Sequence, residues 1–179
     1  MKERPIIFTT DMVKAILDGI KTQTRKVIKS QPWGMDKVYF TAFRKDYGGR
    51  TCPYGQVGDR LWVRESFYTE SGDIWYKADG QTAPMFIKWK PSLFMPRWAS
   101  RITLEITEVR VERLQEISDG DCQAEGCQYP QWRGSHTSWK GAYKALWDSL
   151  NAKRGYGWEV NPWVWVISFD AMGITLKRS

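Results

Sequence analysis

The stretch RITLEITEVRVERL, from 101 to 114, constrains the fold more than any other part of the sequence. Ile102, Leu104 and Ile106 alternate with polar residues, which is the pattern of a strand that buries one face. The phase of the alternation changes near Val109, and such a change within one strand indicates a bulge or a bend. The fold must therefore contain a sheet, and this long strand belongs to it.

Periodicity and end signals predict three helices. The first has Thr10 or Asp11 as its N-cap and ends at Gly19, where glycine commonly takes the left-handed conformation. The second, within 118–126, has the spacing of a capping box at its start and a glycine as its stop. The third, 138–150, repeats large apolar residues at intervals of three and four and is therefore amphipathic.

Shorter strands are predicted within 4–9, 58–67 and 161–170, while 30–57 is broken by Pro and Gly and predicts a hairpin and loop. The order of the predicted elements shows neither internal repeats nor regular alternation of strand and helix. It predicts an α+β protein built on a small mixed β-barrel with a helix near each end. The length of 179 residues fits one domain over 1–179.

The segment 81–100, QTAPMFIKWKPSLFMPRWAS, interrupts this pattern. Its three prolines exclude a central strand, because proline cannot donate to a sheet ladder. Together with its aromatic and basic residues, they predict a long loop that lies across a surface. We interpret it as an insertion rich in proline and tryptophan.

The net charge of +7 favours anionic partners, and nucleic acid or a nucleotide is the usual inference. Since no block of five like charges occurs, a basic groove formed by the fold is favoured over a disordered basic arm. The alternative interpretation is that a net charge of this size promotes solubility and indicates no specific partner. The 11 tryptophans are either core residues or, for one or two of them, rings that stack on a flat ligand such as a nucleobase.

Several classes of protein are not expected. The start MKERPIIF lacks the apolar run of a signal peptide or membrane span, and three cysteines do not make a disulfide framework, so a cytoplasmic protein is expected. Cys122, Cys127 and His136 lack the spacing of a standard zinc site. We therefore expect neither a metal nor another cofactor.

The stretch LDGIKTQTRKVIK, 17–29, places Lys21, Thr24, Arg25 and Lys26 close together. In a bent loop Lys21 and Thr24 can converge on one pocket, whereas in an extended strand they point to opposite faces. An exposed basic turn is the simpler interpretation, since cations are favoured after a helix C-terminus. A phosphate-binding loop is excluded, because the stretch has one glycine and precedes no helix.

Two glutamates are candidates for acid–base chemistry. Glu125 follows the short second helix, and Glu65 ends an otherwise apolar strand. Each has an ordinary alternative, as a surface glutamate or as a strand-end charge that faces water. Which of the two is the working acid stays open.

The segments AILDGIKTQTRKV, VGDRLWVRE and ITEVRVERLQEISDGDCQAEG together resemble the ASCH-domain family, especially its longer members from phages and prophages. The family signature is Gly-x-Lys after the first helix, followed by a polar and a basic residue. Gly19 and Lys21 match it, while Thr24 and Lys26 stand where many members have Glu and Arg. A subset of members carries Thr at that place.

The resemblance implies a PUA-like fold, a small β-barrel of a kind that usually binds RNA. In the small members with Thr, the activity is hydrolysis of N4-acetylcytidine by a Lys, a Thr and a later Glu, which correspond here to Lys21, Thr24 and Glu125. The segment 81–100 has no counterpart in those members, so a modified cytidine nucleoside and RNA are both candidate partners. No membrane partner is expected.

The resulting hypothesis is an amidohydrolase that works without metal. Lys21, partly neutral through desolvation, takes a proton from Thr24 or from water, and Glu125 orients Lys21 or protonates the leaving amine. The remaining candidates are expected to bind substrate, as oxyanion donors, as a second acid or as stacking rings: Arg25, Lys26, Glu65, Trp62 and Trp98. The alternatives are a non-catalytic RNA-binding module and a metal-independent ribonuclease.

Overall fold

The structure of the protein, a computed structural model, describes residues 1–29, 31, 52–80, 87–128 and 138–174. The predicted hairpin and loop therefore falls largely outside the described residues, as do His136 and the start of the insertion at 81–86. Seven strands and three α-helices occur within the described ranges. They are β1 (Glu3–Ile7), α1 (Thr10–Leu17), β2 (Gln23–Val27), β3 (Arg60–Arg64), β4 (Phe67–Glu70), β5 (Asp73–Tyr76), β6 (Ile102–Arg113), α2 (Asp119–Ala124), α3 (Trp139–Asn151) and β7 (Trp163–Ile174).

Five of the strands form a sheet in the order β1-β3-β6-β7-β2, and β4 pairs with β5 in a separate hairpin. The sheet is mixed, since β1 runs parallel to β3 while the β3–β6 and β2–β7 pairs are antiparallel. The predicted α+β class is thus confirmed. So is the long strand: β6 alternates buried and accessible residues as far as Ile106 and then buries the adjacent Val111 and Glu112, as its change of phase predicts.

Contacts divide the chain into two compact units. Unit 1 comprises Met1–Ile20, Tyr54–Thr107 and Phe169–Ser179, and unit 2 comprises Lys21–Pro53 and Glu108–Ser168. The expectation of one domain over 1–179 stays a prediction.

Helix α1 belongs to unit 1 and begins one position earlier than predicted. Its N-cap is Thr9, whose hydroxyl accepts a hydrogen bond from the Met12 amide, and not Thr10 or Asp11. Thr10 is already the first helical residue, so its hydroxyl does not cap. After the helix, Gly19 has a φ of 71°, the left-handed conformation predicted for it.

The described part of the insertion, 87–100, also lies in unit 1. It contains two short 3-10 turns, Ser92–Phe94 and Arg97–Ala99, each preceded by a proline. Proline fixes the backbone before each turn, which is consistent with the irregular segment predicted from its composition.

Unit 2 is built around α2 and α3, both of which start where the sequence predicts. Ser118 caps α2 in a capping box with Asp121, and Ser138 caps α3. The two helices and neighbouring strands bury one apolar cluster, made of Leu114, Ile117, Cys122, Cys127, Tyr143, Trp147, Val164 and Val166.

Strand β2 is the main departure from the sequence-based expectation in unit 2. Its residues, QTRKV, include one apolar side chain and show no period, which is why a bent loop or exposed basic turn was expected. The segment is extended because it pairs with β7, from Gln23 opposite Ser168 to Val27 opposite Val164. The exposed turn was wrong: Lys21, Thr24 and Arg25 are all buried.

Candidate functional site

Lys21 and Glu125, which are 104 positions apart in the chain, form a buried ion pair in unit 2. The Lys21 Nζ donates hydrogen bonds to Glu125 Oε2 at 2.8 Å, to the Glu125 carbonyl at 2.8 Å and to the Gln23 carbonyl at 2.7 Å. Lys21 is 2% exposed and Glu125 is 3% exposed. An amine that donates to three acceptors is the protonated ammonium, so Lys21 acts as a cation in this arrangement.

Local structure brings the two residues together. Glu125 is the C-cap of α2, and Gly126 follows it with a φ of 84°, which turns the chain after the helix. The Thr22 amide donates to the Ala124 carbonyl at 2.8 Å, so the chain after Lys21 is attached to the end of α2. This contact places the Lys21 side chain alongside the Glu125 carboxylate.

Arg25 extends the ion pair into a cluster. Its Nη2 lies 2.6 Å from Glu112 Oε1 and 3.2 Å from Asp121 Oδ2. Its Nη1 lies 3.3 Å from Glu125 Oε1 and donates to Gln23 Oε1 at 2.7 Å. The Glu125 carboxylate is therefore held between two cations, with Oε2 towards Lys21 and Oε1 towards Arg25. We call Lys21, Arg25, Glu112, Asp121 and Glu125 the ionic cluster.

The charges of the ionic cluster stabilise one another. Burial lowers the pKa of Arg25, but the electrostatic interactions with Glu125, Tyr143 and Glu112 raise it by more. The pKa of Arg25 is therefore above its ordinary value. Burial alone would raise the pKa of Asp121; hydrogen bonds from Ser118 and the charges of Arg25 and Arg110 lower it to about 2. Both groups are consequently charged at neutral pH.

The opposite face of β2 carries Thr24 and Lys26. Side chains alternate along a strand, so these two residues point away from Arg25 and share a face with their β7 partners, Ile167 and Trp165. Thr24 is buried and Lys26 is half-buried.

The Lys26 amine has an altered environment. Burial lowers its pKa to about 8, and the positive charges of Lys21 and Arg154 contribute in the same direction, while the negative charge of Glu125 opposes them. A group with this pKa can gain or lose a proton near neutral pH, which an ordinary surface lysine cannot do readily.

The thiols beside the ionic cluster are unreactive. Burial raises the pKa of Cys122 to about 11 and that of Cys127 to about 12. Among the residues that the structure describes, no group of three or more His, Cys, Asp or Glu is arranged to hold a metal ion. The carboxylates of the ionic cluster are already paired with lysine and arginine side chains.

Glu65 belongs to unit 1, where it pairs with Arg101. The guanidinium donates to both carboxylate oxygens at 2.9 and 3.1 Å, and it also lies 2.6 Å from Asp79 Oδ1. Burial raises the pKa of Glu65 and the hydrogen bonds and charge of Arg101 act against it. Arg101 in turn lies 4.0 Å from the centre of the Tyr76 ring. These contacts make Glu65 part of an internal ion pair, not a strand-end charge that faces water.

The tryptophans expected to bind substrate also lie in unit 1. Trp62 is half-buried, and its ring lies 5.3 Å from the Arg64 guanidinium and 5.9 Å from that of Arg97. Trp98 is 62% exposed and Phe94 is 68% exposed, each on one of the two 3-10 turns. This pattern of accessible rings beside cations is suited to stacking on flat ligands.

The structure thus places Lys21, Thr24, Arg25, Lys26 and Glu125 in unit 2 and the other three candidates in unit 1. Sequence reasoning missed Glu112 and Gln23 and assigned Asp121 to helix capping alone. The change of phase in β6 is a signal that could have found Glu112, because it predicts a second buried face there.

No family model matches this chain. A curated relative, named inner membrane-spanning protein YciB, from an Azoarcus species, is 28% identical over 123 residues, which are 69% of this chain and 57% of that protein. The chain thus spans just over half the length of this relative. Within the described ranges, no helix is both long and apolar enough to cross a membrane.

Two solved structures are similar to the chain. Protein EF3133 of Enterococcus faecalis, of the family DUF984, has a TM-score of 0.51 and 10% identity, with 100% of this chain and 86% of that chain covered. An ASCH domain from Lactobacillus crispatus has a TM-score of 0.45 and 16% identity, with 95% and 79% covered. At such identities the first similarity concerns the fold alone.

Proposed function

We propose that this chain, an α+β protein with an ASCH domain among its structural neighbours, is an amidohydrolase. Its substrate is N4-acetylcytidine or a related N4-acylated cytosine nucleoside. The observation that supports the proposal best is the buried contact of 2.8 Å between Lys21 and Glu125. The resemblance to the ASCH-domain family implies a catalytic role for both residues. They lie in segments far apart in the sequence, and the resemblance carries no information on how close they lie in the fold.

The reaction adds water across the N4–acyl bond and yields cytidine and a carboxylic acid. The amide is activated, because its nitrogen lone pair is shared with the pyrimidine ring. Because Thr24 leaves the face of β2 opposite Arg25, the attacking oxygen in this proposal is that of water, and the carbonyl oxygen gains negative charge as the water adds to the acyl carbon. Removing one donor that stabilises such an oxyanion typically costs about 10²–10³ in rate.

The hydrogen bonds of Lys21 change the role expected for it. Since it already donates to three acceptors, it fits a cation better than the partly neutral base of the sequence-based hypothesis. In the proposed site it provides positive charge and fixes Glu125. Glu125 then supplies the carboxylate that guides the proton to the leaving N4 atom.

Ultraviolet absorbance tests the proposal directly, because loss of the acyl group changes the cytosine chromophore. We expect the purified protein to convert N4-acetylcytidine, and Lys21→Ala to lose at least about 10²-fold in kcat/KM. Lys29→Ala is the matched control, since Lys29 is an exposed lysine just after β2. Thermal unfolding of each variant separates loss of the site from loss of the fold.

No absorbance change with a panel of N4-acyl groups would overturn the enzymatic proposal. Equal activity of Lys21→Ala and Lys29→Ala would overturn the assignment of the site.

A second candidate function, RNA binding without catalysis, is favoured by the surface of the insertion. Leu93, Phe94 and Trp98 are 57, 68 and 62% exposed, and the exposed Lys88 and Lys90 precede them in the chain. Stacking of a base on an aromatic ring contributes about 1–3 kcal/mol, and cations beside the rings favour phosphate.

Fluorescence anisotropy with a labelled single-stranded RNA tests this candidate. We expect Phe94→Ala and Trp98→Ala each to weaken binding by roughly 5- to 150-fold. Leu150→Ala, which removes an exposed apolar side chain in unit 2, is expected to bind normally. Affinity unaffected by the two ring variants would exclude this surface, and cleavage of the RNA in the presence of a chelator would favour a ribonuclease.

A further inference from the structure

The Arg25 side chain is fully buried, and each of its three nitrogens contacts an acceptor of the protein. Nε and Nη2 donate to Glu112 Oε1 at 3.1 and 2.6 Å. Nη1 donates to Gln23 Oε1 at 2.7 Å and to Glu125 Oε1 at 3.3 Å. A guanidinium carries five N–H groups, so these bonds use four of them, and Nη2 also lies 3.2 Å from Asp121 Oδ2. Arg25 therefore directs its donors towards the protein and not towards a substrate.

The acceptors around Arg25 come from three elements of unit 2. Gln23 lies two positions before Arg25 on β2, so both side chains leave the same face of the strand. Glu112 belongs to β6. Asp121 lies in the first turn of α2, and Glu125 is the C-cap of the same helix. Contacts from several sides give the guanidinium one orientation, which also fixes its contact with Glu125.

The two carboxylate oxygens of Glu125 have different partners. Oε2 accepts from Lys21 Nζ at 2.8 Å, and Oε1 accepts from Arg25 Nη1 at 3.3 Å. The terminal torsion of a glutamate is soft, so a contact at one oxygen alone would allow the carboxylate to rotate. Contacts at both oxygens fix its plane. A reacting group that is oriented before the substrate arrives contributes strongly to the rate.

We propose that Arg25 is a positioning residue, which fixes the plane of the Glu125 carboxylate for the proton transfer to N4 and does not itself bind substrate. This proposal rests on the proposed function and deepens it. Gln23 and Glu112 contribute indirectly, because they hold Arg25. The role differs from the substrate-binding role that the sequence analysis expects for Arg25.

Arginine suits this role better than lysine. Its planar guanidinium donates in several fixed directions from one side chain, whereas a lysine ammonium is a compact charge without such a fork. Arg25→Lys therefore keeps the positive charge and loses the directions of the donors. Arg25→Met removes both, so the two variants separate geometry from charge.

The first test compares kcat and KM on N4-acetylcytidine for the wild type, Arg25→Lys and Arg113→Lys. We expect Arg25→Lys to lose about 10²-fold in kcat, the cost of a misplaced reacting group, with KM unchanged. Arg113→Lys is the matched control, since Arg113 is half-buried in unit 2, outside the ionic cluster, with its guanidinium 4.5 Å from the Trp163 ring. A raised KM with unchanged kcat would show that Arg25 binds substrate and would overturn the proposal.

The pH profile separates positioning from a purely structural contribution. A carboxylate that loses one of two neighbouring cations keeps its proton to a higher pH. In Arg25→Met the rise of kcat/KM with pH should therefore move upwards by about 1–3 units, and by less in Arg25→Lys. Partial unfolding lowers the plateau without moving its midpoint. The other ionisable groups around Glu125 are the same in every variant: Lys21, Lys26, Arg110, Glu112, Asp121, Cys122, Cys127 and Tyr143.

Selective ¹³C labelling of glutamate carboxyls gives a measurement that needs no turnover. Nuclear magnetic resonance should show one carboxyl, identified by its absence from Glu125→Gln, that titrates at a higher pH in Arg25→Met than in the wild type. An unchanged titration would overturn the contact between Arg25 and Glu125 on which the proposal depends.

A milder variant covers the case in which Arg25→Met does not fold. Gln23→Ala removes one acceptor from Arg25 Nη1 and leaves the carboxylates in place. We expect a smaller fall in kcat than in Arg25→Lys, again with KM unchanged. Thermal unfolding shows which variants are folded at the temperature of the assay.

The outcomes distinguish the two proposals. If the wild type hydrolyses N4-acetylcytidine and Arg25→Lys keeps its kcat and KM, the assignment of Arg25 is wrong and the amidohydrolase stands. If the wild type hydrolyses no N4-acyl substrate, the amidohydrolase and the role of Arg25 in it are both overturned, while the resonance titration still reports whether Arg25 acts on Glu125.

Discussion

Arg25 illustrates how charged side chains can form the interior of a small protein. It is 4% exposed, and its carboxylate partners Glu112 and Glu125 lie 87 and 100 positions away in the chain. No window of sequence around Arg25 contains those partners, so a solvated basic residue was the reasonable expectation. Lys21 and Glu125 were assigned through the family resemblance, and spacing alone could not have paired them.

The Lys21–Glu125 pair should show strong coupling in a double-mutant cycle. Removing one partner leaves a buried charge without compensation, so Lys21→Met and Glu125→Gln should each lower the free energy of unfolding by about 3–5 kcal/mol. The double variant should lose less than the sum, with an interaction energy of about 0.5–3 kcal/mol. Urea unfolding measures all four proteins, and additive losses would show that the two side chains contribute independently.

Asp121 should make stability depend on pH in the acid range. Its pKa is about 2 in the folded protein, below the ordinary value, so its ionised form favours folding above about pH 4. This contribution is lost as the pH falls from about 4 to 2. Relative to Asp121→Asn, the wild type should be more stable by roughly 1–2 kcal/mol at pH 7, and the difference should vanish near pH 2. A constant difference across that range would contradict the assignment.

The helices could be predicted from the sequence more accurately than strand β2. The ends of α2 carry local signals, a Ser118–Asp121 capping box and Gly126, and the structure uses both. Strand β2 has no such signal, because its extended form depends on β7, which lies about 140 positions later. Helices that are stabilised by neighbours in sequence can be predicted, whereas a polar strand stabilised by distant pairing cannot.

The cap of α2 provides a prediction at the level of this element. Ser118→Ala removes the side chain that accepts from the Asp121 amide and should lower the free energy of unfolding by about 1 kcal/mol. Since α2 also carries Glu125 at its end, kcat should fall together with stability. Gln123→Ala is the matched control, because Gln123 is exposed in the same helix and caps nothing. Equal stability of the two variants would show that the cap contributes little.

At the scale of the whole molecule, the net charge of +7 predicted an anionic partner, and the structure shows why charge alone is a weak guide. Several basic residues, among them Arg25 and Arg101, are buried and paired with carboxylates, so their charges are balanced inside the protein. The cations that remain at the surface include Lys88, Lys90 and Arg97, which are close in the sequence to the exposed rings of Phe94 and Trp98. Composition could not separate these two groups, since burial depends on the fold.

If RNA binds at the exposed rings, its affinity should depend on salt through those surface cations. The logarithm of the binding constant should fall linearly with the logarithm of the salt concentration, with a slope of about −0.7 for each phosphate contact on a single strand. Lys90→Gln should reduce the slope by about one such contact, whereas Lys29→Gln should leave it unchanged. Anisotropy titrations at several salt concentrations provide both slopes, and affinity independent of salt would exclude phosphate contacts.

The burial of Cys122 and Cys127 also has a practical consequence. A thiol with a pKa of about 11 or 12 reacts with an alkylating reagent only when the surrounding structure opens. Cys122 lies within α2, and Cys127 follows two residues after Glu125. The rate of alkylation at these positions therefore measures how often the segment that carries Glu125 unfolds locally.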